Sequence, residues 1–281
     1  MLASWVVRPS TVRLFLLTTG AVLAACTQFS SPSADVSRVE VDPTDASAGD
    51  TSAGDTSSDA SASNPGTPSC DEPDLLGRWR LQEGVGSRVF DCTSGARHGD
   101  LFGGTWVNGR DGGKALSFVG GDNGFRVDLG NAIAFRLEGA MTLSAWINVK
   151  SAASYGRIFA KSSTDGDRGW DFFIDVDKSL DFRVATGPNS YESTSIKDFP
   201  QNQWKHVAAV YEPGIALRLY IDGIEAASNK ASIPSAQRNS NQPAYIGARS
   251  DCCTLDGMIY EVRLYTRALS VRDIATLLTA K

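Results

Sequence analysis

Histidine is scarce in this chain: 281 residues hold only two, His98 and His206. None of the five cysteines forms a CxxC pair. The sequence therefore gives only weak support to a zinc centre of Cys and His. No Ser or Cys nucleophile motif accompanies His206, so nucleophilic catalysis has no starting point there. Long apolar runs are missing too. The stretch from Leu14 to Ala25 is 12 residues, against the roughly 20 that a spanning helix needs. Positive charge is not in excess: 27 Lys and Arg stand against 32 Asp and Glu, a net −5. Most of that balance sits in residues 27–69, which leaves residues 70–281 almost neutral. A near-neutral domain has no electrostatic footprint for nucleic acid or an anionic membrane surface.

What is present begins at the amino end. Arg8 and Arg13 are the only charges before position 35, and an apolar segment follows them. A basic n-region, a short h-region and small exit residues make a secretory signal, residues 1–25. Leu23-Ala24-Ala25-Cys26 resembles the lipobox of bacterial lipoproteins. That resemblance implies acylation of Cys26 as the first residue of the mature chain. Acyl chains gain about 0.8 kcal/mol per buried methylene, so such an anchor is stable. In Gram-negative lipoproteins an Asp after the Cys retains the protein in the inner membrane. Thr27 stands there instead, which implies an exported protein anchored to the cell envelope at the outer membrane.

Residues 27–69 are Ser, Ala, Asp, Thr, Gly and Pro with almost no large apolar side chains. They carry Asp35, Glu40, Asp42, Asp45, Asp50, Asp55 and Asp59 against the single base Arg38. Such a segment cannot bury enough surface to offset its chain entropy, so residues 26–69 are expected to be a lipidated Cys and a disordered linker. Flexible-chain scaling gives it a span of roughly 35–40 Å.

Residues 70–281 alternate with period two between turn residues. Gly77–Leu81, Ala115–Val119, Phe125–Leu129, Thr142–Val149 and Leu217–Ile221 all follow this pattern. Phe172, Ile174 and Val176 are expected on one face, with Asp171, Asp175 and Asp177 on the solvated face opposite. Tyr260, Val262 and Leu264 are expected to share a face near the end. Asp222-Gly223 marks a hairpin turn, and only Ser270–Thr279 reads as helix, with Ser270 as N-cap. Cys70, Cys92, Cys252 and Cys253 make an even count in an exported chain, which reads as two disulfides with three possible connectivities. A Cys252–Cys253 bridge is disfavoured because it closes a strained ring.

Five blocks carry a family resemblance: Gly77–Gly84 with Asp91–Gly99, Gly113–Gly121, Met141–Ile147, Trp204–Tyr211 with Leu219–Gly223, and Ile246–Arg249 with Gly257–Ser270. In this order they resemble the laminin-G-like, concanavalin A-type jelly rolls. The resemblance implies an all-β fold, a two-sheet antiparallel jelly-roll sandwich with a short C-terminal helix. It also makes the first and last strands neighbours, which implies bridges from Cys92 and Cys70 to Cys252 and Cys253. Related jelly rolls hold calcium at the rim, and here Asp91, Asp122, Asn123 and Asp256 are the candidate ligands, each otherwise a turn-former. Glycan hydrolases of the superfamily carry Glu-x-Asp-x-x-Glu, which is absent, so no catalytic residue is assigned. His206 reads as structural and His98 as an exposed loop residue. Tyr155, Trp170, Tyr191 and Trp106 are the candidate sugar platforms. The resulting expectation is a membrane-tethered binding or adhesion module for a glycan or a surface protein, and not an enzyme. The alternatives are a structural envelope lipoprotein without a small ligand and a divergent glycan hydrolase.

Overall fold

The computed structural model describes residues 70–163, 166–250 and 252–279. Cys26, the signal segment and the linker lie outside them. The described residues form β1 (Leu75–Trp79), β2 (Arg88–Val89), β3 (Gly99–Phe102), β4 (Thr105–Asn108), β5 (Lys114–Phe118), β6 (Arg126–Asp128), β7 (Met141–Ser151) and β8 (Gly156–Lys161). The chain continues through β9 (Trp170–Ile174), β10 (Leu180–Ala185), β11 (Tyr191–Ile196), β12 (Lys205–Glu212), β13 (Ala216–Ile221), β14 (Ile224–Asn229), β15 (Tyr245–Ile246) and β16 (Asp256–Tyr265) to the helix α1 (Val271–Leu277).

These strands make the two antiparallel sheets of a jelly-roll sandwich. The first runs β14-β13-β12-β7-β16-β5-β4, with β1 also on β16; the second runs β11-β10-β9-β8-β15-β6-β3-β2. Alternation turns one row of each strand inward. In β10 these are Leu180, Phe182 and Val184, all fully buried, while Asp181 and Arg183 face out. Trp79, Phe159 and Trp170 meet edge-to-face at the centre, with centroids 5.6 and 4.9 Å apart. Fully burying each large apolar side chain contributes about 1.5–3 kcal/mol, so this shared core dominates stability.

The first sheet also buries part of its outer face. Ala208, Val210, Tyr220 and Tyr265 point away from the core and are covered by Leu269, Ile274 and Leu277 of the α1 segment. That is why β12 reads as a continuous apolar run instead of alternating. Ser270 caps the helix as expected, and Asp273 reciprocates in a capping box.

Two expectations fail here. The disulfides join Cys70 to Cys92 and Cys252 to Cys253, with Cα atoms 5.6 and 3.7 Å apart. The first and last strands are neighbours, but β1 pairs only with the carboxyl half of β16, Trp79 opposite Val262, and β5 takes the other half. Cys92, bonded through its amide to the Arg78 carbonyl, therefore sits one strand out from Arg263, in the carboxyl half of β16. Cys252 and Cys253 precede its start, roughly 30 Å away at strand spacing. The second failure is the face of Tyr260. A bulge at Glu261 shifts the register between Tyr260 and Val262. One inserted residue reverses the alternation, so Ile259 and Val262 enter the core and Tyr260 turns outward.

Candidate functional site on the outer face of the second sheet

Strand alternation that fills the core with Phe172, Phe182 and Val184 places Arg157, Asp171, Phe173, Asp181, Arg183 and Tyr191 on the opposite side of the second sheet. Phe173 faces outward yet is fully buried, because Arg157 and Arg183 lie over its ring at 4.3 and 4.4 Å. Arg183 also sits 4.6 Å from the Tyr191 ring, and Arg168 sits 5.5 Å from it. Asp171 accepts from Arg157 Nε at 3.0 Å and from Ser162 Oγ at 2.6 Å. Burial pushes its carboxyl up, but Arg157, Arg249 and these donors outweigh that and hold it below the ordinary carboxylate range. It is only 5% exposed, so the expected solvated row is corrected: Asp171 is an ionised strut under an arginine layer. β9 ends at Ile174, so Val176 and Asp177 lie in the following turn, both exposed.

Among the described residues, three aromatic side chains remain open along this face and its rim: Tyr191 (39% exposed), Tyr155 (47%) and Phe102 (49%). Phe102 on β3 stacks against Arg126 at 4.9 Å, and Arg126 reaches Tyr245 of β15 at 5.2 Å. β11 to β3 spans seven strands, about 29 Å at the usual spacing. Of the expected platforms, Trp170 belongs to the core at 1% exposed, and Trp106 is half-buried with its indole N–H on the Gly86 carbonyl. The arginines are not legible as a group in the sequence, although Arg126, Arg157 and Arg183 each occupy a polar position in a strand, the one signal available.

The calcium candidates divide. Asp122, Asn123 and Asp256 gather at one rim. Asp122 accepts the Cys253 amide at 3.1 Å, Asn123 the Thr254 hydroxyl at 2.9 Å, and Asp256 the Ser151 hydroxyl at 2.7 Å. Asp91 is separate and buried, and accepts from the amides of Arg78, Thr93 and Arg97 and from the Thr93 hydroxyl. Among the described residues, the group that brings metal-type donors together is Asp122 with Cys252 and Cys253. A carboxylate and two disulfide sulfurs do not fit calcium, which takes about 6–8 oxygens.

The histidines are structural. His206 is 2% exposed, packs on Trp146 at 5.3 Å, and is pushed by burial and by Arg263 to about 4. His98 is half-buried, not free in its loop: its Nδ1 accepts the Asp91 amide at 3.1 Å.

A sequence model described as the Concanavalin A-like lectin/glucanases superfamily matches residues 119–275. The chain belongs to this superfamily. No curated protein matches it in sequence. Among solved structures, this lectin/glucanase-type chain is similar to domain 4 of AbnA, an extracellular arabinanase from Geobacillus stearothermophilus solved with arabinotriose. The identity is 18%, the coverage 73% of this chain and 98% of that one, and the TM-score 0.56. It is also similar to the binding domain of Paraclostridial Mosquitocidal Protein 1, at 16% identity, 73% and 52% coverage and a TM-score of 0.56. The ligand-binding domain of botulinum neurotoxin serotype D, solved with N-acetylneuraminic acid, matches at 13% identity, 73% and 50% coverage and a TM-score of 0.56. The chain spans about half the length of these two toxin domains. At such identities the likeness is one of fold.

Proposed function

We propose that this superfamily member is a non-catalytic binding module that takes a glycan along the outer face of its second sheet. The observation that carries the reading is the set of open aromatics, Phe102 and Tyr191 against fixed arginines on the face and Tyr155 just ahead of β8 at its rim. Aromatic faces stack on the apolar side of sugar rings, and guanidinium groups donate to hydroxyls. The structural neighbours solved with arabinotriose and N-acetylneuraminic acid support a saccharide as ligand class. The reading as non-catalytic rests on the carboxylates of this face and its turn among the described residues, which are paired with cations. Asp171 is bound to Arg157, Asp175 to Arg183 and Asp177 to Lys197. Burial raises the Asp181 carboxyl, but that side chain is 8% exposed and accepts the Ser179 hydroxyl. A glycosidase needs an acid and a base facing a shared open cleft.

The module's position follows from the sequence signals at its amino end. We read Cys26 as the acylated residue, residues 27–69 as the tether, and the outer membrane as the site of attachment. Metabolic labelling with an acyl-chain probe tests this: label on the wild type and none on Cys26→Ser supports it, and equal label on both removes it. A glycan array tests the binding reading. The full chain is expected to retain one class of oligosaccharide unchanged, and Tyr191→Ala with Tyr155→Ala to lose it. No retained glycan, or hydrolysis of the retained one, overturns it.

A further inference from the structure

On the other side of the sandwich, the outer face of the first sheet is covered by α1 over only part of its width. Beyond the end of the helix lies a cavity of about 450 Å³, within the roughly 300–1,000 Å³ range of small-molecule sites. Its floor is Trp146 of β7 and Tyr260 of β16, and three arginines line it: Arg78, Arg80 and Arg110. The bulge at Glu261 builds this floor, since it is what turns Tyr260 out of the core.

The charges do not balance. Glu261 is one of two acids in the lining, and its carboxylate is already engaged twice. Arg78 Nε donates to it at 2.6 Å and Arg263 Nη2 at 2.9 Å. Arg263, 2% exposed, lies behind the carboxylate and offsets it from that side. The other acid, Asp111, has a side chain 76% exposed and sits 3.4 Å from Arg110, an ion pair that water screens. Arg80 Nε is buried and has no hydrogen-bond partner. Arg110 lies 3.4 Å over the Trp146 ring. A guanidinium stacked in this way has its plane fixed while its N–H edge stays available, which suits bidentate binding of two oxygens of a carboxylate or of a tetrahedral oxyanion. Burial and the neighbouring Arg263 and Arg80 draw Arg78 below its ordinary value, as expected where like charges crowd without enough counter-charge.

We propose that this cavity is a second binding site, for the carboxylate or sulfate of an acidic sugar. The anion sits between Arg80 and Arg110, and Tyr260 provides the apolar contact for the ring. The site is independent of the glycan face proposed for the second sheet, which is on the opposite side of the sandwich.

The test is titration calorimetry of the full chain with D-glucuronate, D-glucose 6-sulfate and D-glucose. At least one acidic sugar is expected to bind at least about ten-fold more tightly than glucose. Which acid binds tells carboxylate from sulfate. Arg80→Gln and Arg110→Gln are each expected to weaken that binding by about ten-fold or more, and Lys230→Gln, an exposed lysine elsewhere, to leave it unchanged. Thermal unfolding accompanies each variant. If Arg110→Gln unfolds, because it also loses its seat on Trp146, Arg80→Gln decides. Equal affinity for glucose, no saturable binding of either acid, or unchanged affinity in folded Arg80→Gln would overturn the proposal.

Discussion

Replacing Asp91 with alanine removes one carboxylate from four donors at once. The amides of Arg78, Thr93 and Arg97 each donate to it at 3.0 Å, and the Thr93 hydroxyl at 2.8 Å. The hydroxyl can rotate to another partner. The amides of Arg78 and Thr93 cannot, because both residues are buried, at 4% and 6% exposed. A buried donor left unsatisfied costs about 1–3 kcal/mol, and the half-buried Arg97 amide adds a smaller loss, so the variant is expected to lose about 3–5 kcal/mol. For a domain of this size that lowers the melting temperature by about 10 °C. Urea unfolding followed by the fluorescence of the buried Trp79 and Trp170 measures it, with and without calcium. A loss below about 1 kcal/mol would refute the hydrogen-bond reasoning. A calcium-dependent midpoint in wild type that vanishes in the variant would make Asp91 a metal ligand instead.

Non-reducing peptide mapping is expected to recover Cys70 with Cys92 and Cys252 with Cys253. Opening the first bridge frees a loop of 22 residues and should cost about 3 kcal/mol on chain-entropy grounds. His206 is expected to make stability depend on pH. Its folded value of about 4 lies below the ordinary 6.5, so between these values the unfolded chain holds the extra proton and stability rises with pH. His206→Gln should flatten that slope in denaturant titrations at stepped pH, and an unchanged slope would show that other groups set it. Ser270→Ala breaks the α1 capping box and should cost about 1 kcal/mol by the same denaturant assay.

The strand pattern was readable because alternation reports burial directly, as in Leu180, Phe182 and Val184. It failed where one residue interrupts the ladder or a helix covers a face. Glu261 is an inserted residue that no composition marks, so alternation alone puts Tyr260 on the core face. Burial of Ala208 and Val210 depends on a helix more than 60 residues later in the chain. Asp171 reads as solvated in the sequence because alternation tells which side a residue faces, not whether arginines cover it. The expected disulfide pairing fails for a related reason. That first and last strands adjoin was correct, but which half of β16 meets β1 is a matter of register. The candidate site was legible only in Tyr155 and Tyr191, since an arginine becomes part of a surface through neighbours from other strands.

Hydroxyl-radical footprinting, with and without the oligosaccharide retained on the array, tests the central claim most directly. Oxidation at Phe102, Tyr155 and Tyr191 should fall together when ligand is bound, with the oligosaccharide recovered intact. Unchanged oxidation at all three, or recovery of shortened oligosaccharide, would contradict a binding face on the second sheet.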